Sequence, residues 1–103
     1  AVVGNVTVWK PSSSALLTAV AVTGIAGGVL ERHGLDPIFF LAAGSGRTIG
    51  DRMAGDRRLP LISFTGSTNA GRRITELAAQ TIKRVTLELG GKSANVILDD
   101  ADR

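Results

Sequence analysis

Two junctions hold the residues of this chain best suited to chemistry. Phe64-Thr65-Gly66-Ser67-Thr68 carries an apolar run into a polar turn with a glycine, and Leu87-Glu88-Leu89-Gly90-Gly91-Lys92 does the same further along. Open α/β sheets seat their ligands at such places, the carboxyl ends of the strands. Gly66-Ser67-Thr68-Asn69-Ala70-Gly71 opens a helix, so its unpaired backbone N–H groups and the helix dipole suit an anion. The Ser67 hydroxyl can donate to a phosphate oxygen, and the same residue types serve plain helix capping. An ATPase phosphate loop is excluded, because Arg72-Arg73 stand where its Lys-Ser/Thr would follow Gly71.

Glu88 is the candidate acid–base group. It is the only charge in the apolar run Val85 to Leu89 and directly precedes two glycines. A carboxylate at such a strand end is expected to be partly desolvated, which raises its pKa toward the range of a general base. A salt-bridged or simply exposed glutamate is the alternative. Lys10 ends the run Val6-Thr7-Val8-Trp9 and falls at the same sheet edge, where its ammonium can bond a hydroxyl or a phosphate. The alternative there is a surface lysine closing a strand. Gly44, Gly46 and Gly50 match a Gly-x-Gly-x-x-Gly fingerprint only loosely, the last spacing being one residue too long. His33 beside Gly34 reads as a helix C-cap, Asp99, Asp100 and Asp102 as helix-capping acids, and Trp9 as core. No metal site is expected.

The elements that must position these residues alternate between two periodicities. Val6 to Trp9 is β-prone and is stopped by Pro11. Ser14 to Arg32 has helical spacing, with Leu16, Val20, Ile25 and Val29 expected on one face, Ser12, Ser13 or Ser14 as the cap, and Gly34 at the C-terminal position. Gly24, Gly27 and Gly28 inside it imply close packing or fraying. Ile38 to Leu41 predicts a buried strand and Thr48 to Ala54 a brief helix. Leu59 to Phe64 predicts a strand, Thr68 to Thr81 a helix with Ile74, Leu77, Ala78 and Ile82 inward, Arg84 to Leu89 a strand, and Ala94 to Leu98 a fifth. The alternation implies an α/β fold, a Rossmann-like doubly wound parallel sheet.

Taken together, Trp9-Lys10-Pro11-Ser12, Phe-Thr-Gly-Ser-Thr at 64–68 and Glu-Leu-Gly-Gly-Lys at 88–92 closely resemble the NAD(P)-dependent aldehyde dehydrogenase superfamily. The resemblance implies that residues 1–103 are part of its cofactor-binding domain, a partial domain, with the catalytic-cysteine domain absent. It further implies that Lys10 and Ser13 meet the adenosine ribose, that Gly46 lets the adenine ring approach the backbone, and that Ser67 faces the pyrophosphate. By the same resemblance Thr65 lies near the nicotinamide, with Gly66, Leu89 and Gly90 also at the cofactor, either NAD or NADP. Many NAD-preferring members carry a glutamate where this chain has Ser13, and a carboxylate there repels a 2′-phosphate. Ser13 therefore points to acceptance of NADP, unless it merely caps the helix.

The implied mechanism has a cysteine thiolate attack an aldehyde, hydride pass to NAD(P)+, and Glu88 activate the water that hydrolyses the thioester. That cysteine is expected beyond Arg103, and an oxyanion-stabilising asparagine upstream, so the chain as given is expected to be inactive. A non-catalytic dinucleotide-binding module and a structural remnant of the fold are the alternatives. The resemblance implies an aldehyde substrate and a homo-oligomeric parent, a dimer or tetramer.

Composition narrows the rest. The net charge of +3 and pI of about 10.2 come from scattered basic residues without a stripe or recognition motif, so no nucleic-acid partner is expected. The chain contains no cysteine, which excludes disulfides and Cys-based metal sites and fits a cytoplasmic protein. No apolar run is expected to reach the roughly 18 residues of a membrane span. The first and last residues read as cut from longer elements.

Overall fold

In a computed structural model, which describes residues 3–94 and 96–102, the chain begins its regular structure at Thr7. Strand β1 (Thr7–Trp9) leads through a short 3-10 turn, Ser13–Ala15, into helix α1 (Leu16–Arg32) and then β2 (Phe39–Leu41). A turn of π-helix, Gly46–Gly50, runs directly into the five-residue α2 (Asp51–Gly55). Strand β3 (Leu61–Gly66), helix α3 (Thr68–Ala79) and β4 (Arg84–Leu89) complete the order. Residues 94 and 96–98 do not form the expected fifth strand, and Asn95 lies outside the described residues.

All strand pairing is parallel, as the alternation required, but the strands form two pairs and not one sheet. β1 pairs with β2 through Thr7↔Phe39 to Trp9↔Leu41, and β3 with β4 through Leu61↔Arg84 to Gly66↔Leu89. Trp9 stacks on Phe39 with ring centroids 5.7 Å apart, and both rings are only half-buried. β2 is likewise half-exposed, where a buried strand was expected. Val8 of β1 and Leu59, just ahead of β3, line one open groove of about 420 Å³ with Ile49, Met53 and Asp56.

Capping chemistry sets the helix ends. The Ser12 hydroxyl accepts from Ser14 N at 3.3 Å and caps the Ser13–Ala15 turn, while α1 itself begins after Ala15 with no side-chain cap from Ser12, Ser13 or Ser14. At the other end His33 is the C-cap and Gly34 follows with φ +64. Gly34 N donates to Glu31 O at 3.0 Å and Leu35 N to Leu30 O at 3.0 Å, which is the Schellman arrangement that a left-handed glycine permits.

The inward face of α1 differs from the expected one. Leu16, Ala19, Thr23, Ala26 and Leu30 form the less exposed stripe, whereas Val20, Ile25 and Val29 are exposed. The helix is apolar nearly all round, so periodicity alone does not select a face. Gly24 and Gly27 have open space around them, so neither close packing nor fraying accounts for them; the helix runs unbroken past both. Within Ser13–Arg32 an 18-residue window reaches a mean hydropathy of 1.8 with 6% of it buried, so this one helix is long and apolar enough to cross a membrane by length and composition alone, a test that the core helix of a soluble protein also passes.

The packed interior is small. Among the described residues Pro11, Ala19, Ala54, Gly71 and Ala78 are buried, and no large side chain is fully buried. The radius of gyration is 18.2 Å, against about 13 Å for a compact domain of this length. Ile82, expected on the inner face of the third helix, lies beyond α3 and is 93% exposed.

Candidate functional site

The carboxyl ends of β3 and β4 bring two of the sequence motifs into register. Thr65 pairs with Glu88 and Gly66 with Leu89 along the ladder, so the hydroxyl-bearing and carboxylate-bearing junctions sit side by side. This follows from equal strand lengths: both run six residues and end at the glycine-bearing turns. A Cβ at Gly66 would lie 2.5 Å from Cζ of Phe64, so a larger residue there would have to displace that ring.

Ser67 caps α3. Its Oγ accepts from Ala70 N at 3.3 Å, and its carbonyl accepts from Gly71 N at 2.9 Å. The hydroxyl proton of Ser67 stays free to donate, and helix geometry leaves the N–H groups of Thr68 and Asn69 without intrahelical acceptors. Capping and anion contact are thus compatible in one residue. Leu89 packs against the start of this helix: a Cβ on buried Gly71 would lie 2.7 Å from Leu89 Cδ2. Gly90 is exposed and opens onto free space.

Glu88 is exposed, which corrects the expected partial desolvation. The pleat explains it: Val85 and Leu87 turn inward, so Thr86 and Glu88 turn out. Among the described residues Glu88 has no ion-pair partner, so the salt-bridge alternative is not what holds it either.

A second group gathers at the end of β1. Lys10 is half-buried, and its Nζ donates to Pro11 O at 2.7 Å and to Gly44 O at 3.2 Å. Its methylenes lie 3.7 Å from the position of a Cβ on Gly50, so the lysine stem lies along the Gly46–Gly50 turn. Ser45 starts that turn, its Oγ accepting from Thr48 N at 3.1 Å and sharing a 2.9 Å bond with the Thr48 hydroxyl. Gly46 has nothing within 4 Å of a would-be Cβ, an open approach to backbone. Ser13 is exposed, and its hydroxyl makes no hydrogen bond among the described residues.

Sequence reasoning missed the Ser45–Thr48 cap and Lys83. The first was readable as a hydroxyl residue three positions ahead of another at a helix start. Lys83 donates to Met53 O at 3.0 Å and Asp56 O at 2.8 Å, and burial pushes its ammonium below the usual lysine range. Nothing local in sequence announces that long-range contact. Among the described residues no group of His, Cys, Asp and Glu could hold a metal ion.

Parallel βαβ units with chemistry gathered at strand carboxyl ends define a nucleotide-binding type of α/β protein. The comparisons narrow this: the model of the Aldehyde dehydrogenase family matches residues 1–103, and the chain belongs to that family. It is 39% identical over 101 residues to aldehyde dehydrogenase family 7 member A1 of Malus domestica, covering 98% of this chain and 20% of that protein. Among solved structures it resembles glyceraldehyde-3-phosphate dehydrogenase GapN of Methanocaldococcus jannaschii complexed with NADP. The TM-score is 0.79 and the identity 36%, covering 85% of this chain and 19% of the other. It also resembles aldehyde dehydrogenase C of Pseudomonas syringae complexed with NAD+ and octanal, at TM-score 0.74 and 43% identity, covering 94% and 19%. The chain thus spans about a fifth of the length of the relatives it matches.

Proposed function

We propose that this chain is the part of an NAD(P)-binding domain that holds the cofactor in an enzyme oxidising an aldehyde to a carboxylic acid. The observation that carries the reading is the register of Thr65-Gly66 against Glu88-Leu89, beside the free amides at the start of α3. Family membership and relatives solved with NAD+ and with NADP support it.

The residues present fit the cofactor. Lys10 keeps donor capacity beyond its two carbonyl bonds, and exposed Ser13, three residues on, has a free hydroxyl for the adenosine ribose. Gly46 offers open backbone to the flat adenine. Ser67 and the N–H groups of Thr68 and Asn69 donate to the pyrophosphate, Thr65 adjoins the nicotinamide, and Gly66, Leu89 and Gly90 line its approach. When bound there, NAD(P)+ would supply the two-electron oxidant, as acceptor of the hydride lost from the substrate carbon. Glu88 takes the proton from the water that cleaves a thioester on a cysteine supplied from outside these 103 residues.

The two strand pairs and the groove between Val8 and Leu59 support the partial-domain reading, with further chain completing the sheet there. The same reading covers the apolar α1. Its ends lie a few residues from the paired strands β1 and β2, so a membrane position would bring unpaired sheet edges toward lipid at a cost of several kcal/mol per polar group. We assign the protein to the cytoplasm, as part of a homo-oligomeric enzyme with an aldehyde substrate and without nucleic acid or membrane as partners.

The test is calorimetric titration of the full-length protein with NAD+ and NADP+, together with aldehyde-dependent formation of reduced cofactor. Binding with turnover is the expected result. Binding without turnover would reduce the protein to a non-catalytic module, and no binding at all would leave a structural remnant.

A further inference from the structure

The Gly46–Gly50 turn continues without a break into α2, a helix too short to hold itself together. What holds α2 is the unit β3–α3–β4 that follows it. Ala54 is fully buried and α2 packs on α3. At its first residue Asp51 accepts from Arg73 Nη2 of α3 at 3.3 Å, an exposed pair of the kind that contributes little. At its C-terminal end, Lys83 reaches from just before β4 to Met53 O and Asp56 O at 3.0 and 2.8 Å, adding a charged donor to carbonyls that also accept from Asp56 N at 3.4 Å and Leu59 N at 3.1 Å. Ile82, directly before Lys83, has φ 53, a left-handed conformation that a β-branched residue holds only when its surroundings impose it. Its side chain is 93% exposed, and the conformation belongs to the Schellman end of α3, in which Ile82 N donates to Ala79 O at 3.2 Å and Lys83 N to Ala78 O at 3.3 Å.

We propose that Lys83 is a positioning residue that sets the spacing between the adenosine-side turn at Gly46 and the pyrophosphate loop at Ser67, by pinning α2 onto the unit that carries Ser67 and Glu88. This rests on the reading of those two segments as halves of a dinucleotide site. A dinucleotide bridging both halves gains from their correct spacing, as any two-point ligand does, whereas a ligand of one half does not. Lys83 touches neither half and acts only through α2.

The experiment compares NAD+ with adenosine as calorimetric probes of the full-length protein. Lys83→Met should weaken NAD+ about tenfold while adenosine, which lacks the phosphates and occupies the adenosine half alone, changes less than twofold. Lys83→Arg, which keeps a cation with several donors, should restore most of the NAD+ affinity. Equal losses for both probes, or no loss for either, would overturn the proposal, since a merely structural role lowers melting temperature without separating them. Should Lys83→Met not fold, Lys83→Gln, shorter and uncharged, takes its place. It should show the same split at a smaller size, and an unchanged NAD+ to adenosine ratio there would equally refute the idea. Failure of the wild type to bind either probe would instead overturn the dinucleotide reading itself.

Discussion

Thr65 and Glu88 stand opposite each other at the carboxyl end of the parallel β3–β4 ladder, one step before Gly66 and Leu89. A neutral hydroxyl and an exposed carboxylate are thereby held on neighbouring strands by main-chain bonds, independent of any contact between their side chains. The arrangement separates placement, which the ladder supplies, from the environment of Glu88, which neighbouring chain must supply to desolvate it. On the proposed function, water activation by Glu88 would depend on segments beyond this unit, and cofactor contact mainly on turns within it.

Glu88→Gln in the full-length enzyme should preserve the burst of reduced cofactor and slow deacylation by about a hundredfold or more, the usual scale of a general base. Rapid-quench kinetics separates the two steps. Loss of the burst with deacylation intact would assign Glu88 a different role.

Ser13→Glu should shift the preference toward NAD by about tenfold or more, because a carboxylate beside the ribose repels a 2′-phosphate. The ratio of kcat/KM for the two cofactors reads this directly. An unchanged or reversed ratio would remove Ser13 from the specificity argument, leaving it an exposed turn residue next to the Ser12 cap.

The isolated 103-residue chain should melt without a cooperative transition above about 60 °C. Among the described residues its interior holds only small ones, chiefly Ala19, Ala54 and Ala78, and Leu17, Ile25 and Ile82 are 87%, 70% and 93% exposed. Circular dichroism against temperature provides the check, and a sharp high transition would show a self-sufficient core.

Asp56 carries a further, pH-linked prediction. The Arg58 guanidinium beside it, bonded at 2.7 Å, holds its carboxyl well below the usual carboxylate range. A group whose pKa is lower folded than unfolded stabilises the fold above its unfolded pKa, and that contribution is lost as pH falls through the folded value. Asp56→Asn should therefore be less stable than the parent at neutral pH, and the gap should persist through pH 5 and close only in strong acid. Denaturant midpoints across pH measure it, and a gap that closes near neutrality would break the assignment. The effect should be small, since the pair is largely at the surface.

Much of the local structure was legible because local rules decide it. The span Arg84–Leu89 is the one its β-prone composition predicts, and α3 starts where Ser67 can cap it. His33 and Gly34 close α1 as their chemistry requires, since only a residue without a Cβ takes a left-handed φ at no cost. The parallel α/β character follows from alternating periods, and the motifs that resemble the family lie in its order along the chain.

The inward face of α1, the exposure of Glu88, the division of four strands into two pairs and the reach of Lys83 to α2 were not legible. Each depends on which surfaces meet, and that is a property of the assembled layers. An all-round apolar helix carries no preferred face in its pattern, and a strand-end carboxylate is buried or exposed according to what packs above it. Ladder pairing joins residues about twenty positions apart, as Thr65 to Glu88 does, through main-chain bonds that no side-chain type announces. Sequence therefore determined which elements form and which residues end them. Tertiary structure decided which of those ends meet, because burial and register are set by the partner surface and not by the segment itself.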